Sequence, residues 1–330
     1  MNRRNFCRTA FSAAALGSTG TSMTSAWAAD PFPVKSIRFI IPFAAGGEPD
    51  VQARMIGPKL GDALGQAIVI ENKVGAAGVL AAQFVAQAPA DGYTVLMGSN
   101  THLIQKIMSP DLKFDPLGEF VPVSNIASSP TVMVVRADSP YKTVQDLIAA
   151  AKASPGKMNY GSGGIGTSAH LAGATLVSLA GLQATHIPLK GSVEITASLR
   201  RGDTDFAFPI ASTGVPQVKG GTLRALAVTS KTRLKDLPDV PTLQEAMRND
   251  LAVQESWFGM WAPARTPPDV VAKLHAAVSQ VLRDPALRAA FEAGGSSAAI
   301  SDSPQAFASF VRSENSKWVD IVKLTGTKAN

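Results

Sequence analysis

The chain has 330 residues, a formal charge of +6, 45% hydrophobic and only 6% aromatic content, and a single cysteine. Arg3, Arg4 and Arg8 account for half of that charge, and the other Lys and Arg residues are dispersed with few aromatics near them, which argues against a nucleic-acid-binding surface. The lone Cys7 rules out a disulfide framework, so the fold rests on core burial, for which this length is ample and suggests two domains.

Taken in chain order, Met1–Ala28 reads as a removable export signal. A basic start is followed by a short, weakly apolar stretch and then Ala26-Trp27-Ala28, an A-x-A cleavage pattern. Arg3-Arg4 ahead of Asn5-Phe6 is similar to a twin-arginine signal, with the general secretory route left open. Cleavage near Ala28 predicts a periplasmic product, and Cys7 would be removed with the signal. No later apolar run approaches the roughly 20 residues that span a bilayer.

Beyond the signal, strand and helix patterns alternate. Ser36–Pro42 is an apolar, β-branched strand, and Val51–Leu64 has helical spacing. Ala67–Glu71 and Thr94–Met97 read as strands around an Ala-rich helix, Val79–Ala88. Val121–Ala127 and Thr131–Val135 are further strands, followed by a helix over Val144–Ala153. Met158–Tyr160, Ala184–Pro188, Phe206–Phe208 and Leu223–Val228 read as strands. Helices over Ser168–Ala180, Val193–Arg200 and Val215–Val218 lie between them. Trp257–Ala262 is the last predicted strand, and helices over Asp269–Leu282, Pro285–Ala293 and Gln305–Leu324 close the chain. Such alternation with short connections predicts an α/β protein with mostly parallel sheets. Crossings near Ser128–Pro130 and Asn249–Gln254 divide it into a first part of lobe one (29–128), lobe two (129–252), and a return to lobe one with the terminal helices (253–330).

Two glycine-rich turns join a strand to a helix: Pro42-Phe43-Ala44-Ala45-Gly46-Gly47, and Gly161-Ser162-Gly163-Gly164-Ile165-Gly166-Thr167. Unpaired N–H groups and the positive end of the helix dipole make each a candidate anion site. Asp50 is expected to cap the first helix and to pair with Arg54 one turn on. Glu48 is expected to face solvent, because a carboxylate pointing inward would weaken anion attraction. His170, one turn after the second glycine run, is a candidate contact. Trp257 and Trp261 share one strand face and are expected in the core.

Competing readings lack a required part. Gly161-x-Gly163-x-x-Gly166 formally matches a dinucleotide fingerprint, but the following strand offers no acid for a ribose. A nucleophile elbow at Ser162 would need glycine where Tyr160 stands. His102, His170, His186 and His275 have no metal-ligand spacing, so neither metal nor cofactor nor catalytic residue is expected.

With these segments in hand, the chain resembles the Bug-type receptors, the extracytoplasmic solute-binding proteins of tripartite tricarboxylate transporters. The likeness rests on the first turn with Asp50, on Asp91-Gly92-Tyr93-Thr94, and on Tyr160 to His170. His186-Ile187-Pro188-Leu189-Lys190-Gly191, Leu237-Pro238-Asp239-Val240-Pro241-Thr242 and Trp257-Phe258-Gly259 extend it. The resemblance implies a type II periplasmic-binding-protein fold with a two-crossover hinge and a cleft between the lobes. It implies a monomer that captures a small carboxylate, an organic or aromatic acid, and delivers it to membrane permease subunits. Ligand contacts then fall on Phe43, Ala44, Ala45, Gly46 and Gly47, on Gly161, Ser162, Gly166 and Thr167, and on the strand end with Ser99 and Asn100. Members often carry an acid or amide after the strand that here ends in Phe208; Pro209 replaces it, which disfavours an amino-acid ligand. An exported enzyme acting on a small acid, and a sensor for a membrane signalling partner, stand as alternatives.

Overall fold

The computed structural model describes residues 32–328, so the export signal, its cleavage site and Cys7 lie outside the described residues. The first lobe begins with β1 (Ile37–Ile41), α1 (Glu48–Leu64), β2 (Ile68–Asn72), α2 (Val79–Ala86), β3 (Thr94–Ser99), α3 (Asn100–Met108) and β4 (Phe120–Pro130). The second lobe comprises β5 (Val132–Arg136), α4 (Val144–Ala153), β6 (Met158–Ser162), α5 (Ser168–Ala180) and β7 (Ala184–Pro188). It continues through α6 (Ser192–Arg201), β8 (Phe206–Ala207), α7 (Ala211–Lys219), β9 (Leu223–Val228) and α8 (Leu243–Met247). The chain then returns through β10 (Glu255–Pro263), α9 (Pro268–Leu282), α10 (Pro285–Ala293), β11 (Ser297–Ala298) and α11 (Pro304–Thr325).

The strands form a six-stranded sheet in the order β11-β4-β10-β3-β1-β2 and a five-stranded sheet in the order β7-β6-β8-β5-β9. The expected parallel pairing is present where helices connect the strands, in β1 with β2 and β3 and in β6 with β7 and β8. The remaining pairs are antiparallel, which makes each sheet mixed. The reason is connectivity: β4, β5 and β10 carry the chain between lobes and run against the neighbours they meet.

The two crossings are bonded to each other. Thr131 N–H donates to Thr229 Oγ1 (2.9 Å), and Thr229 N–H donates back to Thr131 O (3.0 Å). Gln254 N–H then donates to Thr229 O (2.9 Å), and Glu255 pairs with Pro130 as β10 begins.

Period-two alternation distributes the core. Phe39 and Ile41 pack toward Ile56, Leu60, Leu274 and Val278, whereas Ile40 joins Leu96, Trp257, Trp261, Phe307 and Trp318 on the opposite side of the sheet. The two β10 tryptophans are thus core residues, as expected. A separate cluster that includes Val134, Tyr160, Phe206 and Leu226 fills the second lobe.

Four elements differ from the sequence expectation. α3 is unpredicted; it is capped by Ser99, whose N–H is bonded to His102 Nδ1 (3.1 Å) in the place usually taken by Glu or Gln. α7 begins four residues before the predicted Val215 and tolerates Pro216. α8 and the two-residue β11 carry too few residues for a periodic signal.

One carboxyl group anchors the long terminal helix. Glu314 Oε2 accepts from the buried indoles of Trp257 (2.9 Å) and Trp318 (3.1 Å). Replacing Glu314 with Ala leaves two buried donors without partners, at about 1–3 kcal/mol each. Urea unfolding is expected to show a loss of about 2–4 kcal/mol for Glu314→Ala and a smaller loss for Glu314→Gln, whose amide oxygen still accepts. Equal stability of Glu314→Ala and the wild type would remove this anchor.

Candidate functional site

The first glycine turn is shaped by a backbone requirement and held by an acid. Gly46 adopts φ +78°, a region that residues with a Cβ rarely enter, although nothing within 4 Å would obstruct the Cβ itself. Its N–H donates to Asp50 Oδ2 (2.8 Å), which also accepts from Arg54 Nε (3.0 Å). Asn72 Nδ2 donates to Asp50 Oδ1 (2.8 Å) and to Phe43 O (3.0 Å), binding both ends of the turn to the end of β2. Burial alone would raise the Asp50 carboxyl, but Arg54, Gly46 N–H and Asn72 outweigh it and hold the group below the usual aspartate range. The expected Asp50–Arg54 pair is therefore present, and Asp50 closes the turn rather than capping the helix from the N-cap position.

A cavity of about 840 Å³ opens against this turn. Ala44, Ala45, Gly46, Gly47, Glu48 and Gln52 form one wall; Lys190, Gly191 and Ser192 with Ile210, Ser212 and Thr213 form the facing wall. The N-termini of α1, α6 and α7 thus converge on one space. Phe291, Gly294 and Ser296, at the end of α10, close a third side. There Gly295, at φ +75°, lies so close to α7 that an added Cβ would be 2.5 Å from Ser212 N. The N–H groups of Ala44 and Ala45 donate to no other described residue and belong to exposed loop positions at the cavity.

Glu48 reverses the expectation made for it. The residue borders the cavity, and its carboxyl is turned inward instead of facing solvent. Oε1 accepts from Gln52 Nε2 (3.0 Å) and from the Ser129 hydroxyl at the end of β4. These two donors, one turn along α1 and one at the crossing strand, draw the carboxyl inward. Oε2 is buried without a hydrogen-bond partner. Burial pushes the carboxyl up to about 7, against the opposing bond from Ser129.

The other predicted site residues lie elsewhere. Phe43 packs edge-on against Phe258, with ring centroids 6.2 Å apart. Ser162 is fully buried, with Oγ 2.6 Å from His186 Nε2 and 3.2 Å from Gly164 O. Thr167 caps α5: its hydroxyl donates to Gly164 O (2.8 Å) and accepts from His170 N–H (3.3 Å). Gly161 lies beside Leu189 and Thr204, and Gly166, at φ +77°, abuts Gln105 and Met108 of α3. Ser99 caps α3, and Asn100 Nδ2 donates to Ser168 Oγ (2.9 Å), linking the two lobes. His170 Nδ1 accepts from Gly166 N–H (3.1 Å), and the His170 ring stacks on His186 at 3.9 Å. Both imidazoles border a smaller cavity of about 410 Å³ with Tyr160 and Thr325. Burial lowers His170 to about 3, helped by His186, and lowers His186 to about 4. The 840 Å³ cavity thus brings together four of the predicted contacts, Ala44 to Gly47.

The residues that sequence reasoning did not place at the site are Lys190–Ser192, Ile210–Thr213, Gln52 and the end of α10. A third glycine before a helix, Gly191 at φ +130°, was the available signal for the facing wall.

Comparison with known proteins shows the family and the fold. The family model described as "Tripartite tricarboxylate transporter family receptor" matches residues 52–327. The chain is similar to Rpa4515 of R. palustris, solved with adipate, at 30% identity and TM-score 0.82 over 90% of this chain and 99% of that one. It is similar to the periplasmic binding protein BugD at 29% identity and TM-score 0.80, over 91% of this chain and 100% of the other. MatC of Rhodopseudomonas palustris, solved with bound malate, has 31% identity and TM-score 0.77 over 88% and 100% of the two chains.

Asp50 makes the first turn pH-dependent. Its folded carboxyl lies below its unfolded range, so its contribution is complete above about pH 4 and drains away as pH falls through the folded value. Asp50→Asn is expected to cost about 1–3 kcal/mol at pH 7, and the difference from wild type should shrink at pH 3. A difference in urea midpoints that stays constant between those two pH values would contradict the assignment.

Proposed function

Because the chain belongs to the tripartite tricarboxylate transporter receptor family, we propose that it is a periplasmic solute receptor that captures a small carboxylate between its lobes and presents it to membrane permease subunits. The observation that carries this reading is the convergence of the α1, α6 and α7 N-termini on one cavity of about 840 Å³. A carboxylate leaving water costs several kcal/mol unless its oxygens find donors. Helix starts offer such donors in fixed positions, and charge-assisted bonds to them are short and strong. Ala44 and Ala45 line the space from one lobe and Ser192 and Thr213 from the other. A ligand held by both walls therefore favours the closed arrangement, since only there does it make both sets of contacts.

In this reading lobe one comprises 29–128 and 253–330, and lobe two comprises 129–252. The export signal ends near Ala28. Ser162, Thr167 and His170 shape lobe two through their bonds to Gly164, His186 and Gly166. Asn100 fastens α3 to Ser168 across the lobes. The protein acts by binding alone, without chemistry on its ligand. The adipate and malate found in two similar receptors support the ligand class.

Thermal unfolding of the mature protein against mono-, di- and tricarboxylates, aromatic acids and amino acids tests this function. A ligand at 100 times its Kd adds about 2.7 kcal/mol, which corresponds to a rise in Tm of roughly 5–10 °C for a chain of this size. The expected result is a rise with at least one of these acids and none with its uncharged amide. Folded, ligand-free protein with a flat response to every acid would overturn the reading.

A further inference from the structure

The smaller cavity, of about 410 Å³, shares no lining residue with the larger one. It runs along α5, bordered by β6 and β7 and by the end of α11. Three stacked rings belong to its wall: Tyr160 on His186, with centroids 5.0 Å apart, and His186 on His170, at 3.9 Å. The stack is fixed from several sides. Gly173 of α5 admits the Tyr160 ring, since an added Cβ would lie 2.4 Å from Tyr160 Cδ2. His186 Nε2 is held by Ser162 Oγ (2.6 Å), and His170 Nδ1 by Gly166 N–H (3.1 Å).

Two polar groups of this wall are left over. Tyr160 and His170 are only 4% and 6% exposed, and Tyr160 Oη and His170 Nε2 bond to no described residue. Neither atom is sealed in: among the described residues, the enclosed polar atoms without partners belong elsewhere, on residues such as His102 and Trp261. Both groups are donors. Because His170 Nδ1 accepts from Gly166, the ring proton sits on Nε2. Burial, helped by His186, lowers His170 to about 3 and keeps it neutral, and burial pushes the Tyr160 phenol up to about 12, so its hydroxyl keeps its proton. Folded proteins pair nearly all such buried donors.

We propose that this cavity is a second binding site, separate from the cleft, which takes the carboxylate of a small monocarboxylic acid with an apolar body. An ionised carboxylate only accepts, and its two oxygens answer two donors. Among the lining residues Lys328 is the one charged side chain, and none is acidic. The first turn of α5, which meets the cavity at His170, carries no acid, in contrast with α1 and α6, so the positive end of its dipole is uncompensated. Ile165, Ala174, Val177 and Pro188 supply an apolar wall, which suits a hydrocarbon body and not the hydrated surface of inorganic phosphate. The same geometry disfavours a metal ion. His170 Nε2 holds a proton, and the two imidazoles, only 20° from parallel, aim their in-plane nitrogens side by side rather than at one point.

Proton NMR of the full mature chain reads the site through the imidazole Cε1–H resonances, with butyrate as probe and butyramide and inorganic phosphate as comparisons. The expected result is a saturable shift of the His170 and His186 resonances with butyrate alone, while those of His102 and His275, which do not border the cavity, stay in place. Tyr160→Phe keeps the stacked ring and removes one donor, and should weaken the butyrate Kd about tenfold. Lys328→Ala, at the exposed end of the chain, should weaken it about threefold, and less at high salt. The inference falls if butyrate leaves His170 and His186 unmoved, if all four resonances move together, or if butyramide or phosphate shifts them equally. Undiminished binding by Tyr160→Phe also overturns it. Should Tyr160→Phe fail to fold, Lys328→Ala decides, and undiminished binding there removes the site. The receptor reading of the cleft stands under each of these outcomes, since no residue is shared.

Discussion

The bonded double crossing at Thr131, Thr229 and Gln254 is the constraint on which the remainder of the structure depends. The chain leaves the first sheet once and returns once, and at that passage the two segments share backbone and hydroxyl hydrogen bonds. Hydrogen bonds hold the lobes at this passage, and Asn100 with Ser168, together with Leu171 of α5 in the cluster of Trp257 and Phe307, adds contacts beside it. Thr131 and Thr229 are fully buried, and two threonine hydroxyls there satisfy backbone groups that a crossing strand cannot pair within either sheet. Hinges of two-lobed proteins are formed by a few residues at such crossings.

Glu48 connects this crossing to the cavity. Ser129 lies two residues before Thr131, and its hydroxyl is bonded to the carboxyl that opens α1. The same residue borders the cavity. Occupancy of the cavity and the geometry of the crossing strand thus meet at one side chain. The arrangement has a cost, since burying a carboxyl with one oxygen unpaired raises the energy of the empty protein. Destabilisation of this kind is commonly retained at sites where it contributes to function.

Much of the architecture was legible in the sequence because alternation of period two and spacing of period 3.6 record which faces are buried. β1 shows why: Phe39 and Ile41 feed one core and Ile40 the other, so the strand reads as a continuous apolar run. The antiparallel half of each sheet was not legible, since strand direction follows from the crossing and leaves no mark in local composition. α3 was hidden by its cap, in which His102 stands where Glu or Gln would signal a helix start. At the site, the first turn was legible through Gly46 and Asp50, whose roles are local. Thr167 and Ser162 show the limit of the same reasoning. Their hydroxyls suit an anion by type, but bonds to Gly164 and His186 claim them, and His186 comes from a neighbouring strand. The approach of Gly295 to Ser212 joins segments far apart in the chain and has no local signature at all.

The reversal at Glu48 follows from the same distinction between local and non-local causes. Considered alone, an acid in the first turn of a helix is favoured by the dipole and has no reason to leave water. Two donors decide otherwise, and one of them, Ser129, is supplied by a strand 81 positions away. With Glu48 and Asp50 both in the first turn of α1, that helix start already carries two acids of its own. α6 on the opposite wall likewise carries Glu194 in its first turn, where the carboxylate accepts from Lys190 N–H (2.7 Å). Helices on both walls thus meet the cavity with an acid at their own N-terminus. A ligand that bridges those walls favours closure only through contacts that the open form lacks.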